Sequence, residues 1–145
     1  MSGLSTLQQL RAETREREQQ AFARRLSELR LAEELLRRAN ARWESQRGRV
    51  GERAEARVCA TTPGAPGGAV VLHARHERRL RVELEALAFG RDVARRELAA
   101  RSCRTDEARN ALERAEASLA VLERLLERRA AEAQRRKARR ADETF

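Results

Sequence analysis

From Leu80 to Ala133 a small set of residues recurs in alternating steps of four and three. One row holds Leu84, Arg91, Leu98, Thr105, Leu112, Leu119, Leu126 and Ala133. Its partner row holds Leu80, Leu87, Ala94, Arg101, Ala108, Ala115, Leu122 and Arg129. On a helix this heptad spacing gathers the side chains into one narrow stripe, and such a stripe is buried by a second helix lying alongside. Arg91, Arg101 and Thr105 interrupt the middle of the stripe, and the alanines there leave it thin.

The first half of the chain supplies the second stripe. Phe22, Leu29, Leu36, Trp43 and Val50 follow one another at spacing seven, with Ala32 and Ala39 on one side and Leu26 and Ala54 on the other. Trp43 falls on this row, so it reads as a packing residue and not as part of a ligand site. Nearer the N-terminus Leu7, Thr14 and Ala21 form a different row, which predicts a shift of register there.

One segment separates the two stripes. CATTPGAPGG, residues 59–68, holds both prolines, Pro63 and Pro66. Proline lacks the amide donor and glycine favours turns, so helix cannot continue through it. Gly48 and Gly51 each cost a helix interior about 1 kcal/mol, which predicts a frayed or bent end to the first helix. The expected architecture is therefore all-α: a long antiparallel two-helix coiled-coil hairpin forming a single domain over residues 1–145. Helix one would span about residues 4–58, the Pro/Gly turn about 59–69, and helix two about 70–141. At 1.5 Å per residue the helices would be ~80 Å and ~110 Å long. Residue 58 would lie near residue 70 and Leu4 near residue 124, so roughly residues 127–141 would project past the N-terminus.

Composition agrees with a seam and not with a large core. The chain is 38% charged and 3% aromatic, and Ala, Leu, Glu and Arg dominate it. That mix with a helical period is typical of long helices. Glu precedes Arg by four at Glu13–Arg17, Glu33–Arg37, Glu34–Arg38, Glu77–Arg81, Glu97–Arg101 and Glu132–Arg136. This order supports an exposed helix by ~0.2–0.5 kcal/mol per pair.

The net charge is +9, and Lys137 is the only lysine. Arginine in such excess serves bidentate contacts with phosphate or carboxylate; it also follows from GC-rich codon usage, and its spread along the whole chain fits the latter. Either way, positive charge speeds association with an acidic partner. Between Arg124 and Arg140 eight basic residues stand against Glu127 and Glu132.

Several kinds of chemistry find no footing. GAPGG lacks the Lys-Ser/Thr of a phosphate loop. No Ser, His and Asp come with the fold signals of a nucleophilic triad, and a two-helix hairpin offers no pocket, so an enzyme is not expected. Cys59 and Cys103 fit no metal or redox spacing and read as reduced thiols. His73 and His76 lack further ligands, so neither a metal nor another cofactor is expected. There is no N-terminal apolar run to act as a signal peptide and no stretch of ~20 apolar residues to span a membrane. The basic segment has no interleaved aromatic residue for base stacking and follows its heptads instead of preceding them, which argues against specific nucleic-acid recognition. It also lacks the bulky apolar anchors of a membrane-surface helix.

Three stretches together resemble the FliJ/YscO family of type III export proteins. The opening LQQLRAETREREQQAFARRLSELRLAEELL is similar to the family's Leu-rich start with Arg and Glu clusters. The second helix begins at HARHERRLRVELEAL, after a variable middle. The ending ALERAEASLAVLERLLERRAAEAQRRKARRADETF is similar to the family's closing pattern, carried by Leu122, Glu123, Arg124, Leu125, Glu127, Arg128 and the terminal Asp142-Glu143. The low aromatic content and the proline-rich turn depart from flagellar members and lean towards a virulence-type, YscO-like member.

The resemblance implies a role and partners. Members form a two-helix antiparallel coiled coil similar to the central stalk of rotary ATPases. They insert into the hexameric export ATPase ring and promote its activity. They also contact the cytoplasmic domain of the export gate and escort chaperones of export substrates. The place implied is cytoplasmic, peripheral at the inner-membrane export apparatus. On this chain the ring contact would fall on Arg124, Arg128, Arg129, Arg135, Arg136, Arg139 and Arg140, and the gate contact on Leu80, Leu84, Leu87 and Arg91. Three of these last four are also seam residues, so core packing is the competing reading. Two other functions fit the residues without the resemblance: a generic coiled-coil scaffold or chaperone-like protein, and a non-specific nucleic-acid binder acting through the basic tail.

Overall fold

The structure, a computed structural model, describes residues 3–60 and 67–144, Ala60 by its backbone alone. Two helices make up the fold: α1, Gly3–Ala60, and α2, Gly67–Glu143, packed against each other with no strand among the described residues. The all-α two-helix hairpin is thus the fold the heptads require. Pro63 and Pro66, with the centre of the expected turn, lie outside the described residues. Both flanks of that turn differ from expectation: Cys59 and Ala60 still belong to α1, and Gly67, Gly68 and Ala69 already belong to α2.

The expected fraying at Gly48 and Gly51 is absent, since α1 runs through both. Neighbouring side chains and the hydrogen-bond ladder carry the helix past two weak positions. A methyl group at either glycine would meet nothing within 4 Å. Gly48→Ala and Gly51→Ala should therefore each stabilise the protein by about 0.5–1 kcal/mol. Thermal melts followed by circular dichroism will show it as a raised midpoint.

Contacts gather into two units. The terminal unit is Met1–Ser27 with Cys103–Phe145; the central unit is Glu28–Ser102. In the terminal unit Thr105 is the most enclosed side chain, 1% exposed, and its Oγ1 donates to the Arg25 carbonyl across the seam at 3.2 Å. Leu122 is buried nearby in sequence, and Phe22 lies half-buried beneath the Arg109 guanidinium. Arg11 donates to the Ser118 carbonyl at 3.2 Å and to its hydroxyl, and Arg15 pairs with Glu116 at 3.8 Å. The paired numbers fall on α2 as they rise on α1, so the helices are antiparallel.

These contacts correct the expected register shift. Leu4, Gln8, Arg11, Arg15 and Glu18 are half-buried on the same heptad rows that pass through Phe22 and Arg25. Leu7 and Thr14 are exposed, and the Thr14 hydroxyl donates back to the Leu10 carbonyl. Arginine and glutamine keep the row because their stems cover apolar surface while their heads reach polar partners.

In the central unit the buried side chains are Ala32, Leu80, Gln46 and Glu77. Gln46 Nε2 donates to the Leu80 carbonyl at 3.3 Å and to Glu83 Oε2 at 3.0 Å, tying α1 to the backbone of α2. The Glu77 carboxylate accepts from Arg57 at 2.8 Å and Arg81 at 2.9 Å. Two cationic donors answer the desolvation of this one carboxylate. Arg101 donates to Glu97 at 2.7 Å and to Glu28 on α1 at 2.8 Å. Those two carboxylates, Glu97 first, raise the Arg101 pKa above its usual value.

Of the expected Glu–Arg pairs, Glu13–Arg17, Glu34–Arg38, Glu77–Arg81 and Glu97–Arg101 form. Arg37 turns to Glu34 instead of Glu33, at 2.7 Å. The Arg38 hydrogen bond and then the Arg37 charge hold the Glu34 carboxyl below the usual carboxylate range. Its small contribution to α1 is complete above that range and is lost as pH falls through the lowered pKa.

Candidate functional site: an arginine-faced overhang

α2 outlasts its partner. Leu126 is the last half-buried residue, and every residue from Glu127 to Thr144 is exposed. The helix nevertheless continues to Glu143, about 25 Å beyond Glu127. Arg128, Arg129, Arg135, Arg136, Lys137, Arg139 and Arg140 lie on it, and none makes an ion pair among the described residues. The expected Glu132–Arg136 pair is likewise not formed. The depression along this stretch is bounded by one helix only, with Arg129, Glu132, Ala133, Arg136, Lys137 and Arg140, and is the ordinary gap between successive turns.

The charges are not spread evenly around the overhang. At 100° per residue, Arg128, Arg135 and Arg139 fall within about 40° of one another, and Arg129, Arg136 and Arg140 within a neighbouring span of the same width. The six share one side of the helix, an arc of about 140°. Glu132 and Glu143 fall inside this arc, Glu132 beside Arg129 and Arg136, while Ala130, Ala131, Gln134, Ala138 and Ala141 take the other side, with Lys137. The arginine side therefore stays net positive, six arginines against Glu132 and Glu143, and Arg140 in the last turn also complements the helix dipole. Sequence reading counted these charges but did not place them on one face; the heptad letters of residues 128–140 carried that signal.

The other candidate residues lie elsewhere. Arg124 is exposed on α2 before the overhang starts. Leu80, Leu84, Leu87 and Arg91 are all seam residues: Leu80 is 8% exposed, and Leu84, Leu87 and Arg91 are half-buried. The Arg91 guanidinium carbon sits 4.0 Å from the Trp43 ring centroid, with Arg47 on the ring at 5.3 Å. Arg91 Nε is buried without a hydrogen-bond partner, so the ring face is its compensating contact. Packing is the observed role of these four residues.

Among the described residues no three His, Cys, Asp or Glu side chains converge to hold a metal ion, and Cys59 and Cys103 are free and exposed. Among the described residues no helix is long and apolar enough to cross a membrane. The chain matches no family model, no curated protein and no solved structure.

Proposed function

We propose that the chain is a non-enzymatic stalk and escort protein of a type III export apparatus, placed in the cytoplasm beside the inner membrane. Its terminal unit would enter the hexameric export ATPase ring. The observation that carries this reading is the arginine face beyond Leu126, in the terminal unit and without an ion pair among the described residues. A charged helix projecting past its partner in the terminal unit suits contact with acidic loops around a pore, by charge and not by one rigid fit. The FliJ/YscO resemblance supplies the partners: the ATPase ring, the export gate and substrate chaperones. A gate contact remains part of the proposal, but it is not assigned to Leu80, Leu84, Leu87 and Arg91, which are engaged in the seam.

The test is the hydrolysis rate of the export ATPase with and without this protein, over a salt series. Stimulation that saturates near about one hairpin per six ATPase subunits is expected, weakening as salt rises. No stimulation at any ratio would sink the proposal and leave a coiled-coil scaffold.

The arginine face also favours one second reading, a non-specific nucleic-acid binder. Tight binding to duplexes of any sequence, falling steeply with salt, would support it.

A further inference from the structure

The seam leaves apolar side chains uncovered, and in the terminal unit four of them fall together. Leu7 is 37% exposed, Leu10 52%, Val121 65% and Leu125 41%. Their heptad positions explain the grouping. With the seam rows as a and d, Leu7 and Leu125 are g positions, and Leu10 and Val121 are c positions. In an antiparallel pair the g sides of the two helices face the same way. The structure marks that side by the Arg11 contact with Ser118, itself a g position. The opposite side is marked by Arg15 with Glu116. The levels agree as well: Arg11 meets Ser118, so Leu7 and Leu10, just before it, stand opposite Leu125 and Val121, just after. Two helices thus present a leucine-valine patch on one side of the hairpin.

The overhang continues that side. Around the α2 axis, Val121 and Leu125 point in the same direction as Arg128, Arg135 and Arg139, within about 80°. Moving along α2, an apolar patch gives way on the same face to Arg128, Arg135 and Arg139, which outnumber the one carboxylate between them, Glu132. We propose that this face is a docking site for an amphipathic helix of a partner protein, one whose apolar stripe is followed by carboxylates. The apolar stripe would lie across both helices, and the carboxylates would meet the arginines of the overhang. Charge complementarity selects this occupant. A second copy of the chain would bring the same arginines against themselves, and an uncharged helix would leave them unused. The assignment does not depend on the export proposal and is tested without any ATPase.

The probe is a fluorescent three-heptad helical peptide with Leu at a and d in its first two heptads and Glu on the same face of the third. Two control peptides carry Gln in place of the Glu residues or Ser in place of the Leu residues. Binding to the full chain is read by anisotropy. The peptide should bind, and each control should bind about tenfold more weakly or worse. In the protein, Leu10→Gln with Val121→Gln should weaken binding by about tenfold, as should Arg128→Gln, Arg135→Gln and Arg139→Gln together. Removing three exposed arginines of the central unit, Arg30→Gln, Arg78→Gln and Arg96→Gln, should change it less than about twofold. All these side chains are exposed, so unchanged far-ultraviolet spectra will confirm the fold. No binding, or equal binding of the Gln control, overturns the proposal. So does a dimer in sedimentation equilibrium that Leu10→Gln and Val121→Gln dissolve, which would make a second copy the occupant. Capture by anionic vesicles that the same variants abolish would also overturn it, in favour of lipid.

Discussion

Replacing Arg135, Arg136, Arg139 and Arg140 together by Glu should abolish stimulation of an export ATPase and leave the melting temperature of the hairpin almost unchanged. The two halves of this expectation have separate causes. All four side chains are exposed and make no ion pair among the described residues, so the folded state loses no contact with them. Acidic residues at a helix C-terminus oppose the dipole, by about 0.3–1 kcal/mol each within the last turn. That cost falls on Glu143 and its neighbours as local fraying and does not reach the seam. Under the proposed stalk role the effect on function is different: the reversed residues turn an attractive end into a repulsive one. A variant that melts normally yet stimulates like the parent would remove the arginine face from the mechanism. A variant that melts much earlier would show that the overhang is packed in solution.

The largest stability effect is expected at Trp43. Trp43→Ala should destabilise the protein by about 3 kcal/mol, lowering the midpoint of thermal unfolding by roughly 6–12 °C. Part of that is the lost seam contact of the only tryptophan. The rest comes from Arg91, whose guanidinium lies over the ring and whose Nε has no other partner. Without the ring, a buried donor is left unsatisfied. Trp43→Phe keeps much of the contact but a weaker π face, and should cost about 1 kcal/mol. Circular dichroism is the suitable readout, since the substitution removes the fluorophore. A loss below about 1 kcal/mol for the alanine variant would make the Trp43–Arg91 stack a surface contact.

The second helix was readable in the sequence nearly residue by residue. Each heptad position from Leu80 to Leu126, Arg91, Arg101 and Thr105 included, is buried or half-buried. Leucine and alanine set the period, and the polar members follow because position on the stripe decides burial. The first helix was harder for the same reason. Leu7 and Ala21 drew the eye to a false row, while Gln8, Arg11, Arg15 and Glu18 held the true one. Hydrophobicity is a poor guide where long polar side chains seal a thin seam. Glu77 was read only as a surface partner of Arg81, although it lies one heptad before Leu84 and is 4% exposed. Its second arginine, Arg57, comes from the other helix, a pairing no single-helix pattern contains. Gln46, too, is buried because of what it meets across the seam. For the candidate site, the charge count and, through the heptad letters, its facing were both in the sequence, whereas the apolar patch beside it required the pairing of α1 with α2.

The overhang has a consequence of its own for how the chain orders. A free segment of its length would spend most of its time as coil, because the first turn of a helix is costly to start. Here the first turn already exists, held by Leu122 and its neighbours in the seam, and each further residue needs only to be added. Its length should therefore be adjustable turn by turn from the end at Glu143, with no cooperative melting and no disturbance at Leu122. A ring or partner that gathers counter-charge along it would extend it gradually, which makes the projecting end a helix of variable reach on a fixed base.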